Sequence, residues 1–192
     1  MIRKLAAVCA LALISSAALG HPAQEHLSGV AAGFAHPFMG VDHLLAMVAL
    51  GIWAAQCKGP SMLLAPAVFI LSMVAGAVFA LNGGVVAFAE HGIAFSVLII
   101  GLFVAMVPAQ GIVRTLALAL VALGATMHGF AHAVQAPTES AIQLILGFAI
   151  GTSMLHGFGL LLGCALRDRI VAMRATGFAI TTAGSVMLWT LG

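Results

Sequence analysis

The chain has 192 residues, of which 63% are hydrophobic and only 6% are charged. Soluble domains carry about a quarter charged residues, so this composition excludes an ordinary soluble protein and is typical of a polytopic helical membrane protein. Seven Lys and Arg stand against five Asp and Glu. A charge so close to balance argues against a nucleic-acid partner, which requires a basic patch to neutralise phosphates. The expected partner is the lipid bilayer.

The first twenty residues predict a signal peptide. Arg3 and Lys4 give a basic start, residues 5–14 an apolar middle, and residues 18–20 a small-residue cleavage site. The apolar middle is too short to cross a bilayer comfortably, which favours cleavage over an uncleaved first helix. Cleavage would leave His21 as the first residue. Either alternative places the following segment outside the cytoplasm.

Residues 21–192 form one predicted permease domain with six apolar segments, each close to the length that a transmembrane helix needs. Breakers containing Gly, Pro and charged residues separate the segments. The predicted spans are Ala35–Gln56, Met62–Leu81, His91–Val107, Ile112–Val134, Ser140–Leu166 and Ile170–Leu191. The predicted fold is therefore all-α, a compact bundle of six transmembrane helices. Small residues spaced four apart in the fifth span favour close helix packing.

The basic residues predict the orientation of the bundle. With the mature N-terminus outside, the loops after the first, third and fifth spans are cytoplasmic. All five basic residues of the mature chain then lie on the inner side, as the positive-inside rule requires. They are Lys58, Arg114, Arg167, Arg169 and Arg174. The signal peptide and the charges thus indicate the same orientation independently.

The first span begins with three ionisable residues, His36, Asp42 and His43. Such groups are costly inside a membrane and are usually functional, which predicts a binding site here. On a regular helix the two histidines would lie about 10 Å apart along the axis, and Asp42 would point elsewhere. This geometry implies two separate stations unless Pro37, which suits a first helical turn, leaves His36 on irregular backbone that folds toward the axis. The alternative is a polar helix start that satisfies free amides at the membrane interface.

Other candidate ligands lie on the same side of the membrane. His128 and His132 stand four residues apart, a spacing that lets two imidazoles reach one metal ion from one helix face. Glu90 and His91 begin the third span, although Glu90 could simply be favoured there by the helix dipole. Nitrogen and oxygen donors without cysteine suit Ni, Co, Zn or Fe(II) and disfavour Cu(I). The predicted metal-site residues are His21, His26, His36, Asp42, His43, Glu90, His91, His128 and His132.

The remaining histidine, His156, lies toward the inner half of the fifth span. It is either an inner relay on a permeation path or a core histidine bonded to a backbone carbonyl, and the sequence favours neither. Ser153 precedes it by three residues and prompts the idea of a serine hydrolase. A nucleophile needs its base within hydrogen-bond reach and an oxyanion hole, and residues three apart on one helix rarely meet that geometry. We therefore predict no enzyme.

The start of the first span resembles the HupE/UreJ family of nickel permeases, small bacterial membrane proteins associated with nickel-iron hydrogenase or urease gene clusters. The family pattern H-P-x-x-G-x-D-H, followed after seven residues by G, is met at six fixed positions. These are His36, Pro37, Gly40, Asp42, His43 and Gly51. The resemblance extends over essentially the whole mature chain and includes Glu90-His91.

One family motif is only partly kept. The family carries the pattern H-G-x-x-H-G-x-E in its fourth span. In this chain His128, Gly129 and His132 match that pattern. Ala133 and Gln135 stand where glycine and glutamate are common. If that glutamate contributes a ligand or a charge, Gln135 weakens the site or shifts its preference between nickel and cobalt.

The resemblance implies a permease of the bacterial inner membrane that takes up Ni²⁺, or Co²⁺, for hydrogenase or urease maturation. The ion is bound transiently as substrate, no prosthetic group is expected, and a homo-oligomer is compatible with the sequence. No Walker motif is present, so the chain is not expected to use ATP itself. A competing class is a bis-histidine haem protein for electron transfer, with haem between the first and fourth spans. A metal-dependent intramembrane hydrolase is a third alternative, but the chain has no HExxH motif.

Overall fold

The structure is a computed structural model that describes residues 29–57, 59–106, 111–135 and 140–192. These residues form seven α-helices and no strand. The helices are α1 (Gly29–Ala35), α2 (Val41–Ala55), α3 (Leu64–Leu81), α4 (Ala89–Ala105), α5 (Gly111–Gln135), α6 (Ala141–Leu166) and α7 (Ile170–Leu191). The predicted signal peptide, His21 and His26 lie outside the described residues.

Several of these helices are suited to cross a membrane. Four stretches are long and apolar enough: Ser61–Leu81, Gly111–Val134, Ala141–Leu166 and Ile170–Leu191. A fifth results if the bent pair Gly29–Phe38 and Val41–Ala55 is one span, and α4 is apolar but has only 17 residues. The all-α fold is thus confirmed for the described residues, and its long apolar helices are consistent with a membrane protein. The ends of the second to sixth predicted spans agree with the helices within two residues. That the protein has six membrane spans stays a prediction.

The first predicted span is not one regular helix. His36–Phe38 form a 3₁₀ turn, closed by a 3.0 Å hydrogen bond from the Met39 N–H to the His36 carbonyl. Gly40 then adopts an extended conformation before α2 begins. Pro37 is buried and has no N–H to continue the hydrogen bonding of α1. The chain therefore bends by 77° between the segment that carries His36 and the helix that carries Asp42 and His43.

Neighbouring helices pack so closely that backbone meets backbone at glycines. α1 and α2 pack along α6, α3 packs along α5, and α4 along α7. A Cβ at Gly51 on α2 would collide with the His156 carbonyl, and a Cβ at Gly159 on α6 would collide with the Val48 carbonyl. Equivalent reciprocal contacts join α3 to α5 through Gly76 and Gly129, and α4 to α7 through Gly101 and Gly177. Small residues permit this spacing, as expected for helices packing in lipid.

The centre of the bundle contains several buried polar residues. α2 is its most enclosed helix, and Met47 and Leu50 on it are completely buried. Among the described residues, the buried polar side chains are His43, Ser96, His128, Thr152 and His156. These come from four different helices, α2, α4, α5 and α6. Polar groups from distant parts of the sequence are therefore collected in an apolar interior.

Candidate metal site

Three histidines converge beside the bend between α1 and α2. One ring nitrogen each from His36, His43 and His132 lies within 4.8 Å of the other two. The ring centroids of His132 are 4.3 Å from those of His36 and 4.5 Å from those of His43. The Nε2 atoms of His43 and His132 contact each other directly. Each neutral imidazole has one ring nitrogen with a lone pair, so the group can offer three ligands to one ion.

The bend brings His36 into this group. A straight helix would separate His36 and His43 by about 10 Å along its axis. Across the 77° bend their ring centroids are only 5.8 Å apart. From the sequence, His36 could join His43 only if the backbone around Pro37 were irregular, and the 3₁₀ turn and the bend meet that condition. His36 and His43 thus belong to one group rather than to two stations.

Asp42 orients His43 from the side. Its Oδ1 accepts the His43 backbone N–H at 2.9 Å and lies 2.7 Å from His43 Nδ1. With Nδ1–H donating to the carboxylate, Nε2 keeps its lone pair and points to His132. Asp42 also lies in the first turn of α2, where the helix dipole favours a negative charge. Its carboxylate is therefore placed to hold the ring and to offset positive charge on a bound ion.

His128 lies one turn before His132 on α5 and is completely buried. Its ring centroid is 4.8 Å from that of His43, and its Nε2 is 3.1 Å from the Ser96 hydroxyl oxygen. Because that hydroxyl donates to the Ile93 carbonyl at 2.7 Å, it accepts from His128 Nε2–H. His128 Nδ1 then carries a lone pair, and it has no partner among the described residues.

Aromatic rings close the site on its apolar side. The Phe148 ring lies 4.5 Å from the His132 ring, and the Phe69 ring lies 5.5 Å from the His128 ring. A small pocket adjoins the group, lined by His132, Phe148 and apolar residues. Apolar walls reduce hydration and strengthen electrostatic interactions inside the site.

The structure places the other predicted ligands elsewhere or does not describe them. Glu90 is exposed at the start of α4, and the His91 ring contacts Phe88 at 5.6 Å. Neither belongs to the group of three histidines. His21 and His26 precede the described residues. Sequence reasoning missed Ser96, although a polar residue inside an apolar span was the signal that could have found it.

Known proteins resemble this chain over most of its length. The family model described as HupE / UreJ protein matches residues 9–187. Protein HupE of Rhizobium leguminosarum bv. viciae is 35% identical over 166 residues, which cover 85% of this chain and 86% of that protein. No solved structure matches. The matched range of the family model contains all the histidines described above.

Proposed function

Since this chain belongs to the HupE / UreJ family, which is associated with nickel and cobalt transport for hydrogenase or urease, we propose that it is an uptake permease for Ni²⁺. Co²⁺ is the second substrate that the same site would accept. The observation that carries the proposal is the group of His36, His43 and His132, with ligand nitrogens within 4.8 Å of one another. Imidazoles suit borderline divalent ions such as nickel and cobalt, whereas Mg²⁺ and Ca²⁺ prefer oxygen ligands.

Charge supports an ion as the substrate. A divalent cation in a low-dielectric interior needs compensation, which neutral imidazoles alone supply poorly. Asp42 is bonded directly to His43 and brings a negative charge to the group. Glu90 is exposed at the start of α4. We assign it, with His91, His21 and His26, to capture of the ion at the outer rim before transfer to the group and His128.

The membrane arrangement is part of the same proposal. The apolar helices and the family make the chain a multi-pass membrane protein. We propose six spans in the bacterial inner membrane, with the bent α1–α2 pair as the first and α4 as the third. Seventeen residues of α4 extend about 25 Å, slightly less than a hydrocarbon core of about 30 Å. Arg167 and Arg169 are exposed between α6 and α7, which supports a cytoplasmic position for that loop.

Haem binding is the weaker alternative. A bis-histidine haem requires the porphyrin plane to lie between two axial nitrogens. The Nε2 atoms of His43 and His132 contact each other, and Phe148 packs against both rings. This arrangement favours a small ion over a macrocycle. A Soret band in the purified protein would reverse that preference. We propose no enzymatic activity.

The test is uptake of radioactive nickel by cells that lack other nickel transporters. We expect uptake with the wild-type protein and near-complete loss with His43→Ala and with His132→Ala. Ser153→Ala is the matched control, because Ser153 is exposed on the outer surface of α6. Unlabelled cobalt should compete and magnesium should not. Uptake that persists in both histidine variants would refute the site.

A further inference from the structure

Deeper in the bundle, the buried histidine His156 has no hydrogen-bond partner among the described residues. His156 is 3% exposed, and neither of its ring nitrogens has a hydrogen-bond partner among the described residues. Buried polar side chains are normally hydrogen-bonded, so an imidazole with both nitrogens free requires an explanation. In the described part of the chain, no backbone carbonyl accepts a hydrogen bond from it, as one would for an ordinary core histidine. Its lone pair is available to a ligand.

One face of α6 connects His156 to the three-histidine group. Phe148, Thr152 and His156 follow one another at four-residue intervals, and all three are buried. Phe148 contacts the His132 ring, with centroids 4.5 Å apart. Each interval advances about 6 Å along the helix, so His156 lies about 12 Å beyond that contact.

The Phe69 ring on α3 also lies between His128 and His156, within contact distance of both. Phe69 is completely buried, and its centroid is 5.5 Å from that of His128 and 5.1 Å from that of His156. His128 Nδ1 is also without a partner. Two imidazoles, each with a ring nitrogen that lacks a hydrogen-bond partner, thus contact one aromatic ring.

Sulfur atoms, which are soft donors, lie near Thr152, between the three-histidine group and His156 along α6. The Thr152 hydroxyl donates to Met47 Sδ at 3.4 Å, and Met73 Sδ lies 4.0 Å away. Thr126 and Ser153 instead donate to the carbonyl four residues earlier, the usual bond of such residues in a helix. Thr152 therefore keeps its oxygen lone pairs in the interior, next to two buried thioethers.

We propose that His156, Thr152, Met47 and Met73 form an inner transit site for the metal ion, reached from the three-histidine group through His128. The inference rests on the proposed permease function and extends it to a second binding position. Its donors carry no negative charge, so it holds a divalent ion less tightly than the group beside Asp42. Conduction needs successive sites that bind weakly enough to release the ion. Imidazole suits nickel, and neither imidazole nor thioether donors suit magnesium, which prefers oxygen ligands.

The test compares two replacements of His156 of similar size. His156→Leu removes the donor atom, and His156→Met keeps one. We measure the initial rate of radioactive nickel uptake in cells, and the affinity of the purified full-length protein for its first nickel ion. We expect His156→Leu to lower uptake at least about tenfold, the scale typical for groups that support a metal site. We expect His156→Met to retain most of the uptake, and both variants to keep the wild-type affinity.

A second pair of variants keeps the inference testable if His156→Leu does not fold. Met47→Leu with Met73→Leu removes both interior thioethers at nearly constant volume, and Met154→Leu changes an exposed methionine on α6. The inner site is supported if nickel uptake is slower in the double variant but not in Met154→Leu. Wild-type uptake in His156→Leu or the double variant overturns it, as does equal loss in His156→Leu and His156→Met, which would indicate a packing role. Absence of nickel uptake by the wild-type protein would instead refute the permease function itself.

Discussion

Asp42→Asn tests whether the carboxylate acts on the ion through His43. The change keeps the size and shape of the side chain but removes its negative charge. The wild-type Oδ1 lies 2.7 Å from His43 Nδ1. A metal–nitrogen bond is about 2 Å long, so an ion on Nε2 would be roughly 7 Å from the carboxylate, across the imidazole ring.

The expected loss follows from that distance. At an effective dielectric constant of about 20, a single negative charge attracts a divalent ion at roughly 7 Å by about 5 kcal/mol. The cost of holding the carboxylate in the interior offsets part of this attraction. Changes to groups that support metal-bound histidines commonly weaken binding by about 10–100-fold, or about 1.4–2.7 kcal/mol. We therefore expect nickel affinity to fall within that range.

The measurement is equilibrium nickel binding to purified protein in detergent at neutral pH. Asp168→Asn is the control, because it makes the same chemical change at an exposed aspartate in the loop after α6. We expect wild-type affinity in the control. If Asp42→Asn also binds nickel with wild-type affinity, the carboxylate does not act on the ion and the assigned role of Asp42 is wrong.

Further predictions concern the pH response, the packing and the N-terminus. Nickel binding to the purified protein should weaken as the pH falls through the range in which the imidazoles become protonated, since a protonated imidazole cannot bind a metal; binding that persists unchanged in strong acid would contradict histidine ligation. Gly51→Ala should destabilise the bundle by about 1–3 kcal/mol because its Cβ meets α6 backbone, whereas Gly157→Ala, which faces open space, should leave thermal unfolding in detergent nearly unchanged. Ser96→Ala should cost about 1–3 kcal/mol in the same assay by leaving His128 Nε2–H unpaired. N-terminal sequencing of the mature protein should begin at His21, and a sequence that begins at Met1 would refute cleavage.

The helices were largely predictable because their signals are local. Long apolar runs and Gly- or Pro-containing breakers place the ends of the second to sixth spans, and α7 coincides with its prediction at Ile170 and Leu191. The bend between α1 and α2 was not predicted outright; the sequence only indicated that His36 could approach His43 if the backbone at Pro37 were irregular. Pro37 shows that the helix start is irregular, but the angle depends on packing of the buried proline against α6, where its ring would meet a Cβ at Gly151.

The composition of the site was harder to predict because it depends on which helices are neighbours. In lipid, one apolar helix face resembles another, so the sequence does not show that α2 packs along α6 rather than α3. That pairing places the face of α6 with Phe148, Thr152 and His156 next to the three-histidine group. The same limitation applies to Glu90 and His91, which the sequence predicts on the same side of the membrane as the group but which lie outside it.

The reciprocal glycine contacts have a consequence for selectivity. Gly129 lies between His128 and His132, and its Cα faces the Met73 carbonyl so closely that no methyl group fits. Gly51 relates to the backbone of His156 in the same manner. The spacing of donor atoms is therefore determined by contact between main chains, which are stiff, rather than by side chains, which can rotate. In the proposed permease, the radius of the ion that fits between the donor atoms thus depends on glycines that are not themselves ligands.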